Sequence, residues 1–479
     1  MTTRQSGGGR PPKKQVRLAA RLPGVDDTTL RSGPRSRGPI DFRSFERFAR
    51  TAERGLFDFL LLAEGPEGTE GPGERRGRTD DLDAVGRPEP ITVLNALAAV
   101  TDRLGLAATV DATFNEPYEL ARRLASLDHL SAGRAAWHVV TASDTSDTSD
   151  TSEASDTSGA SDTFDVPGAE NVRRGGFPDH ADRYSRAAEF VRTARALWDS
   201  WAPDATPRRF EHRGRHFTVE GEFTVPRCPQ GRPVVIQAGD SDEGREFAAA
   251  VADVVFTWHG TPEASRLFYA DVKARLAAHG RAPDELTIMP GITFVLGDTD
   301  AEARERAAAL RGQQISPRTA IRALERVWGR DLSAYDPDGP LPGIDPAPER
   351  VLVQGQGQGQ GQGRGLVRDP LAVAAEWRAL SEAKGLSIRE TVIETTGRQT
   401  LAGTPSGIAA ALDAWVQTDA ADGFVLVPHP DPGGLDDFVD QVVPLLQERG
   451  AFRTAYAGAT LRSHLGLPEP VGQSGKVDP

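Results

Sequence analysis

Short, predominantly apolar runs alternate with longer stretches in which apolar positions recur every three or four residues. Eight such runs stand out, at 16–20, 57–62, 104–110, 135–140, 234–237, 254–256, 286–296 and 423–427. A run with no polar face reads as a strand buried on both sides. Phe42, Phe45, Phe48, Ala49 and Ala52 form one helical stripe before the second run, and Tyr184, Ala188, Val191, Ala194 and Leu197 form another before the fifth. Strands alternating with helices imply an α/β fold in which helices cover a parallel sheet. Eight strands predict a closed (β/α)8 TIM barrel. An open doubly wound sheet is the alternative, because a strand count does not establish closure.

The clearest single unit spans 115–141. Asn115 is placed to cap a helix and Pro117 suits its first turn. Leu120, Leu124 and Leu127 recur at helical spacing, Gly133 ends the helix, and 135–140 follows as a strand. Two tracts break the pattern, an Asp-Thr-Ser repeat over 143–162 and a Gln-Gly alternation over 354–363. Neither holds the apolar groups that would offset the entropy of ordering, so both are expected as surface loops. Residues 313–400, after the seventh strand, carry Trp328, Trp377 and helical patterns of their own. That length predicts a helical excursion over the barrel mouth. The expected organisation is a tail over 1–14, one barrel domain over 15–470 with these insertions, and a tail over 471–479.

Composition narrows the chemistry. The 479 residues hold 56 Lys and Arg against 69 Asp and Glu, a net −13 that disfavours a nucleic-acid partner. The single cysteine, Cys228, excludes an internal disulfide and a cysteine-rich metal cluster, and no metal is expected. No apolar run approaches the ~18 residues of a membrane span. The basic N-terminus has no apolar segment behind it and reads as a tail rather than a signal peptide, so a cytoplasmic protein is expected. The sequence contains no His-Glu-x-x-His zinc site, no Gly-x-Ser-x-Gly elbow and no Walker loop.

Barrel enzymes carry their sites at the carboxyl ends of the strands. There the chain places Ala63-Glu64, Thr109-Val110-Asp111, Thr141 and Ala238-Gly239-Asp240-Ser241. In the last of these, Gly239 lets the backbone approach a ligand, and the helix over 242–251 points N–H groups at the turn. A phosphate could be held there with Ser241. The competing reading is a plain helix with Ser241 or Asp242 as its cap, and Asp240 counts against an anion unless it faces away. His180 and Tyr184, four residues apart, share a helix face and form either a ligand grip or a surface pair. His138 lies inside the fourth strand. It is either a hydrogen-bonded core residue or, if aimed into the mouth, a group that orients substrate or moves a proton.

Several segments carry a resemblance. They include Thr51-Ala52-Glu53-Arg54-Gly55-Leu56-Phe57-Asp58, the 115–141 unit, Asp182-Arg183-Tyr184 and Pro229-Gln230-Gly231-Arg232-Pro233. Gln237-Ala238-Gly239, Tyr269-Ala270-Asp271-Val272-Lys273, Ala421-Asp422-Gly423-Phe424 and Thr460-Leu461-Arg462-Ser463-His464-Leu465-Gly466-Leu467 continue the series. In order, these resemble the bacterial-luciferase-like flavin monooxygenases, in the branch that oxidises nitrilotriacetate and dibenzothiophene sulfone. The resemblance implies a homo-oligomeric TIM-barrel enzyme. It would take reduced FMN (FMNH2) from a separate NAD(P)H:flavin reductase and use O2 to oxygenate a small organic molecule.

By the same resemblance, Ser241 and Gly239 would hold the FMN phosphate, His180 and Tyr184 would contact the cofactor, and Thr109 would touch the flavin. Glu64 stands where the family has the aspartate of Ala-Asp, and is expected beside the cofactor. His138 stands where the family has the asparagine of Trp-Asn, and is the expected catalytic position. The family's Asn-Phe-Gly element is reduced here to Glu170-Asn171, and its early Trp-Arg is represented by Leu30-Arg31. A deazaflavin-dependent oxidoreductase and a catalytically degenerate flavin-binding protein are the alternatives.

Overall fold

A segment without a polar face can satisfy its backbone and bury both sides only inside a sheet, and all eight apolar runs do so. The computed structural model describes residues 13–22, 41–62, 88–142, 163–164, 180–202, 205–258, 261–347, 370–396, 400–428 and 434–470. Its strands are β1 (Arg17–Arg21), β2 (Phe59–Leu62), β3 (Gly105–Asp111), β4 (Ala135–Ala142), β5 (Thr163–Phe164) and β6 (Arg209–Arg213). They continue with β7 (Thr218–Glu222), β8 (Val234–Ala238), β9 (Val254–Thr257), β10 (Thr287–Leu296), β11 (Thr400–Gly403) and β12 (Gly423–Leu426). Eight of them pair in the order β1-β2-β3-β4-β8-β9-β10-β12, all parallel, and β12 pairs back onto β1. The sheet is therefore a closed barrel and not an open one.

Alternation along each strand sorts the side chains. Ala19, Phe59, Leu61, Ala107, Ala136, Ile236, Phe256, Met289 and Val425 face the interior, while Leu18, Leu60, Leu106, Trp137 and Val235 face the surrounding helices. Leu461, Leu465 and Leu467 join the interior cluster. Leu467 follows Gly466, the C-cap of the helix Leu461–Leu465, which supplies Leu461 and Leu465 and is capped at its start by Thr460. Its first N–H donates to Gly133 O at 3.0 Å, which docks the C-terminal segment beneath β4 at the amino end.

The 115–141 unit forms the helix Pro117–Leu130 and then β4, with Leu120, Leu124 and Leu127 buried. Asn115 does not cap this helix. Its Nδ2 donates back to Asp111 O at 2.8 Å, and the N-cap is Glu116, which makes no side-chain capping bond. The turn is set earlier, where Asp111 Oδ1 accepts the N–H groups of Thr113 and Phe114 at 2.6 and 2.8 Å. The helix stops at Leu130, and the positive φ values fall on Ala132 (55°) and Gly133 (88°). Asp128, fully buried, joins helix to strand by accepting from Ala135 N at 3.1 Å and Gln230 Nε2 at 2.6 Å. Burial pushes its carboxyl up to about 6.

Three pieces of sheet were not legible beforehand. An antiparallel hairpin, β6–β7, stands between the fourth and fifth barrel strands. Glu189, from the helix His180–Trp198, anchors it by accepting the N–H groups of His216 and Phe217 and pairing with His212 Nε2. β5 extends the end of β4, and β11 pairs with the carboxyl half of β10. The segment between β10 and β11 contains the helices Pro317–Trp328, Pro370–Lys384 and Ile388–Thr396. These share a separate small core in which the Trp328 and Trp377 rings lie 6.1 Å apart. Residues 143–162, 354–363 and 471–479 lie outside the described residues. No helix among the described residues is long and apolar enough to cross a membrane.

Candidate active site

Strand parity turns Thr109 and His138 inward, since each sits two residues beyond an interior alanine (Ala107 and Ala136). They are direct neighbours across β3 and β4, and Thr109 Oγ1 lies 2.9 Å from His138 Nδ1. The imidazole meets the Phe256 ring edge to face, with centroids 6.3 Å apart. His138 is 4% exposed, and its Nε2 has no hydrogen-bond partner among the described residues. Burial first, and the charge of Arg21 second, pull its pKa down to about 3. At neutral pH His138 is held uncharged, like the amide that the resemblance expects there.

Ser241 follows β8 and is the N-cap of the helix Asp242–Val251, its Oγ accepting Gly244 N–H at 2.9 Å. The capping reading thus holds, but it uses only the acceptor side of the hydroxyl. Tyr184 Oη approaches the same oxygen at 3.4 Å. Tyr184 is no loose surface residue: its ring packs on Phe247 at 6.0 Å, and the Arg183 guanidinium lies over it at 5.4 Å. Asp240 and Asp242 are both ion-paired. Arg245 Nη2 donates to Asp240 Oδ1 at 2.8 Å while its Nη1 reaches Asp271 at 3.0 Å, and Arg275 donates to Asp242. Asp240 is accordingly tied back by Arg245, and Gly239 lies in the turn before it.

β4 pairs with β8, and His138 stands opposite Ile236. His138 thus lies on the strand beside β8, whose carboxyl end leads into Ser241, which Tyr184 approaches from the helix His180–Trp198. His180 is the first residue of its helix, and its side chain lies outside the described residues. Glu64 also lies outside them.

Two features of the mouth escaped sequence reading. Arg21 ends β1 on the same face as Ala19 and is 9% exposed. The run 16–20 stops one residue before it and already contains a second cation, Arg17. Trp258, just beyond β9, packs on Phe256 at 5.0 Å. Gly291 of β10 makes the room: a Cβ there would lie 2.7 Å from both Phe256 Cε2 and Trp258 Cζ3. Among the described residues no group of three or more His, Cys, Asp or Glu is arranged to hold a metal.

Comparison with known proteins agrees with this architecture. The model of the luciferase-like monooxygenase family matches residues 24–422. The chain is 36% identical over 491 residues to N-acetyl-S-(2-succino)cysteine monooxygenase of Bacillus subtilis (strain 168), covering 97% of this chain and 99% of that one. It is 37% identical over 450 residues to nitrilotriacetate monooxygenase component A of Aminobacter aminovorans, covering 90% and 91%. Among solved structures, a riboflavin lyase with modified FMN and riboflavin superposes with a TM-score of 0.72 at 26% identity, covering 95% of this chain and 97% of that one. With a closed barrel, a family match across most of its length and relatives aligned nearly end to end, this chain belongs to the luciferase-like monooxygenase family.

Proposed function

We propose that the protein is the oxygenase of a two-component system, taking reduced FMN from a separate NAD(P)H:flavin reductase. The observation that carries this is that the capped helix start, Ser241 with Tyr184, follows β8, the strand paired with β4, on which the buried His138 Nε2 has no hydrogen-bond partner among the described residues. The two parts suit the two ends of one flavin mononucleotide. Ser241, Tyr184 and the N–H groups of the helix start would hold the phosphate, with Gly239 allowing close approach and His180 at the head of the next helix. Thr109 and His138 would meet the polar edge of the ring, and Glu64 is assigned to the cofactor side by family resemblance. A buried polar atom without a partner costs stability, so His138 Nε2 is matched to a ligand group.

Bound reduced FMN supplies two electrons to O2, so that one oxygen atom enters the substrate and the other leaves as water. The chain itself binds, orients and keeps water away. His138, uncharged, would fix the ring as a hydrogen-bonding group rather than as a proton shuttle. The helices between β10 and β11 leave and return at the carboxyl half of β10, which suits a cover over the mouth. The name of the Aminobacter relative, component A of a monooxygenase, supports the two-component reading.

The test mixes purified protein with photoreduced FMN and 18O2, alone and with a panel of small thioethers and tertiary amines. The expected result is slower peroxide release than from free reduced FMN, and a product carrying one 18O atom. Tight FMN binding with immediate, stoichiometric peroxide and no labelled product would show a flavin binder without oxygenase activity. Preference for a deazaflavin over FMN would replace oxygenation by hydride transfer.

A further inference from the structure

Thr109 and His138 share one hydrogen bond, and the direction of that bond follows from counting protons. The ring is uncharged at neutral pH, so its two nitrogens hold one proton between them, and the Thr109 hydroxyl carries another. The pair therefore owns two donors, and the contact between Thr109 Oγ1 and His138 Nδ1 at 2.9 Å uses one of them. If Nδ1 held the ring proton, the hydroxyl hydrogen would be left over. Thr109 is 0% exposed, and its hydroxyl has no other partner among the described residues, so that hydrogen would be stranded in the core. With the ring proton on Nε2, Thr109 donates to Nδ1. The surplus donor then passes to Nε2, the nitrogen with no partner among the described residues. Phe256, in the space that Gly291 leaves on β10, meets the imidazole edge to face at 6.3 Å and gives it no conventional hydrogen-bond partner.

We propose that Thr109 is a positioning residue whose hydroxyl donates to His138 Nδ1, fixing the ring as a donor that gives its Nε2–H to a carbonyl oxygen of the bound flavin. This rests on the flavin-monooxygenase reading. Both donors of the pair are then satisfied, whereas a ligand N–H set against His138 would strand the proton of Thr109. The two carbonyl oxygens of a flavin ring accept hydrogen bonds in its oxidised and reduced forms alike, so the contact survives the redox change. An asparagine at 138, as the resemblance expects, offers both a donor and an acceptor at its tip. This chain keeps the donor alone, and Thr109, spent on the ring, acts through it.

The test reads the ring nitrogens of His138 by 15N NMR on the full chain labelled in histidine, the His138 signals being those lost in His138→Asn. In the free protein a protonated Nε2 and a bare, hydrogen-bonded Nδ1 are expected, and oxidised FMN should shift the Nε2–H signal. Thr109→Val should move Nδ1 toward the position of a bare nitrogen with no hydrogen bond, and Thr109→Ser should restore it. His138→Leu should weaken FMN roughly two- to tenfold, the loss of one neutral hydrogen bond. A protonated Nδ1 in wild type, or an Nδ1 signal unmoved by Thr109→Val, overturns the role of Thr109. The wild-type spectrum decides the tautomer even where the valine variant fails to fold. An Nε2–H signal unmoved by bound FMN overturns the contact to the flavin. If no FMN binds, the flavin reading falls, while the free-protein spectra still decide whether Thr109 sets the ring.

Discussion

Ser241 is the position where two roles can be separated by experiment. Its Oγ accepts Gly244 N–H at 2.9 Å as a helix cap, and it is the proposed donor to the FMN phosphate. Ser241→Ala removes both. Loss of the cap costs about 1 kcal/mol of stability. Loss of a hydrogen bond to a charged group costs about 1.5–3 kcal/mol of binding, roughly ten- to 150-fold in Kd. Ser241→Asp separates them, because aspartate caps as well as serine but sets a carboxylate against the phosphate. Urea denaturation and fluorescence titration with FMN and riboflavin read the two effects. Ser241→Ala should be slightly less stable and lose FMN affinity but little riboflavin affinity. Ser241→Asp should keep wild-type stability and riboflavin binding while losing FMN still further. If Ser241→Asp binds FMN as wild type does, or if both variants weaken FMN and riboflavin equally, Ser241 is a cap and nothing more.

Two further expectations follow from buried titratable groups. Burial, with Arg21 behind it, holds His138 at about 3, so its ring stays uncharged across the working range. Replacing it by Asn should leave the shape of the activity–pH profile between pH 5 and 9 unchanged; a shifted or newly flattened limb would show that the imidazole titrates during turnover. For stability the depressed pKa means a contribution present above the unfolded value near 6.5 and lost as the pH falls toward 3. Asp128 acts in the opposite sense. Its carboxyl, raised to about 6 from 3.8, adds stability that is full below pH 4 and lost as the pH rises through 6, on the order of 3 kcal/mol. The two slopes oppose each other, so each is read as a difference, wild type minus His138→Asn and wild type minus Asp128→Asn, in urea melts from pH 3.5 to 8. An Asp128→Asn difference that does not vary between pH 4 and 6 would contradict the buried, protonatable carboxyl.

The barrel was legible because its strands are apolar on both faces and its helices carry one apolar stripe, and both are one-dimensional patterns. Ser241 was legible as a helix start for the same local reason. The β6–β7 hairpin was not, because its strands alternate exposed charges with few buried residues and are held by Glu189, far away in sequence. Asn115 misled because capping depends on where the chain turns, and Asp111 had already turned it.

The order of strands, the helix–strand units and the polar residues at the strand ends are thus written in the amino-acid pattern itself, since periodicity and capping act within a few residues. Closure of the sheet, the neutrality of His138 and the placing of Thr109 beside His138 were decided only by the tertiary structure. Each depends on which distant strands become neighbours and how completely they exclude water, and no local pattern encodes either.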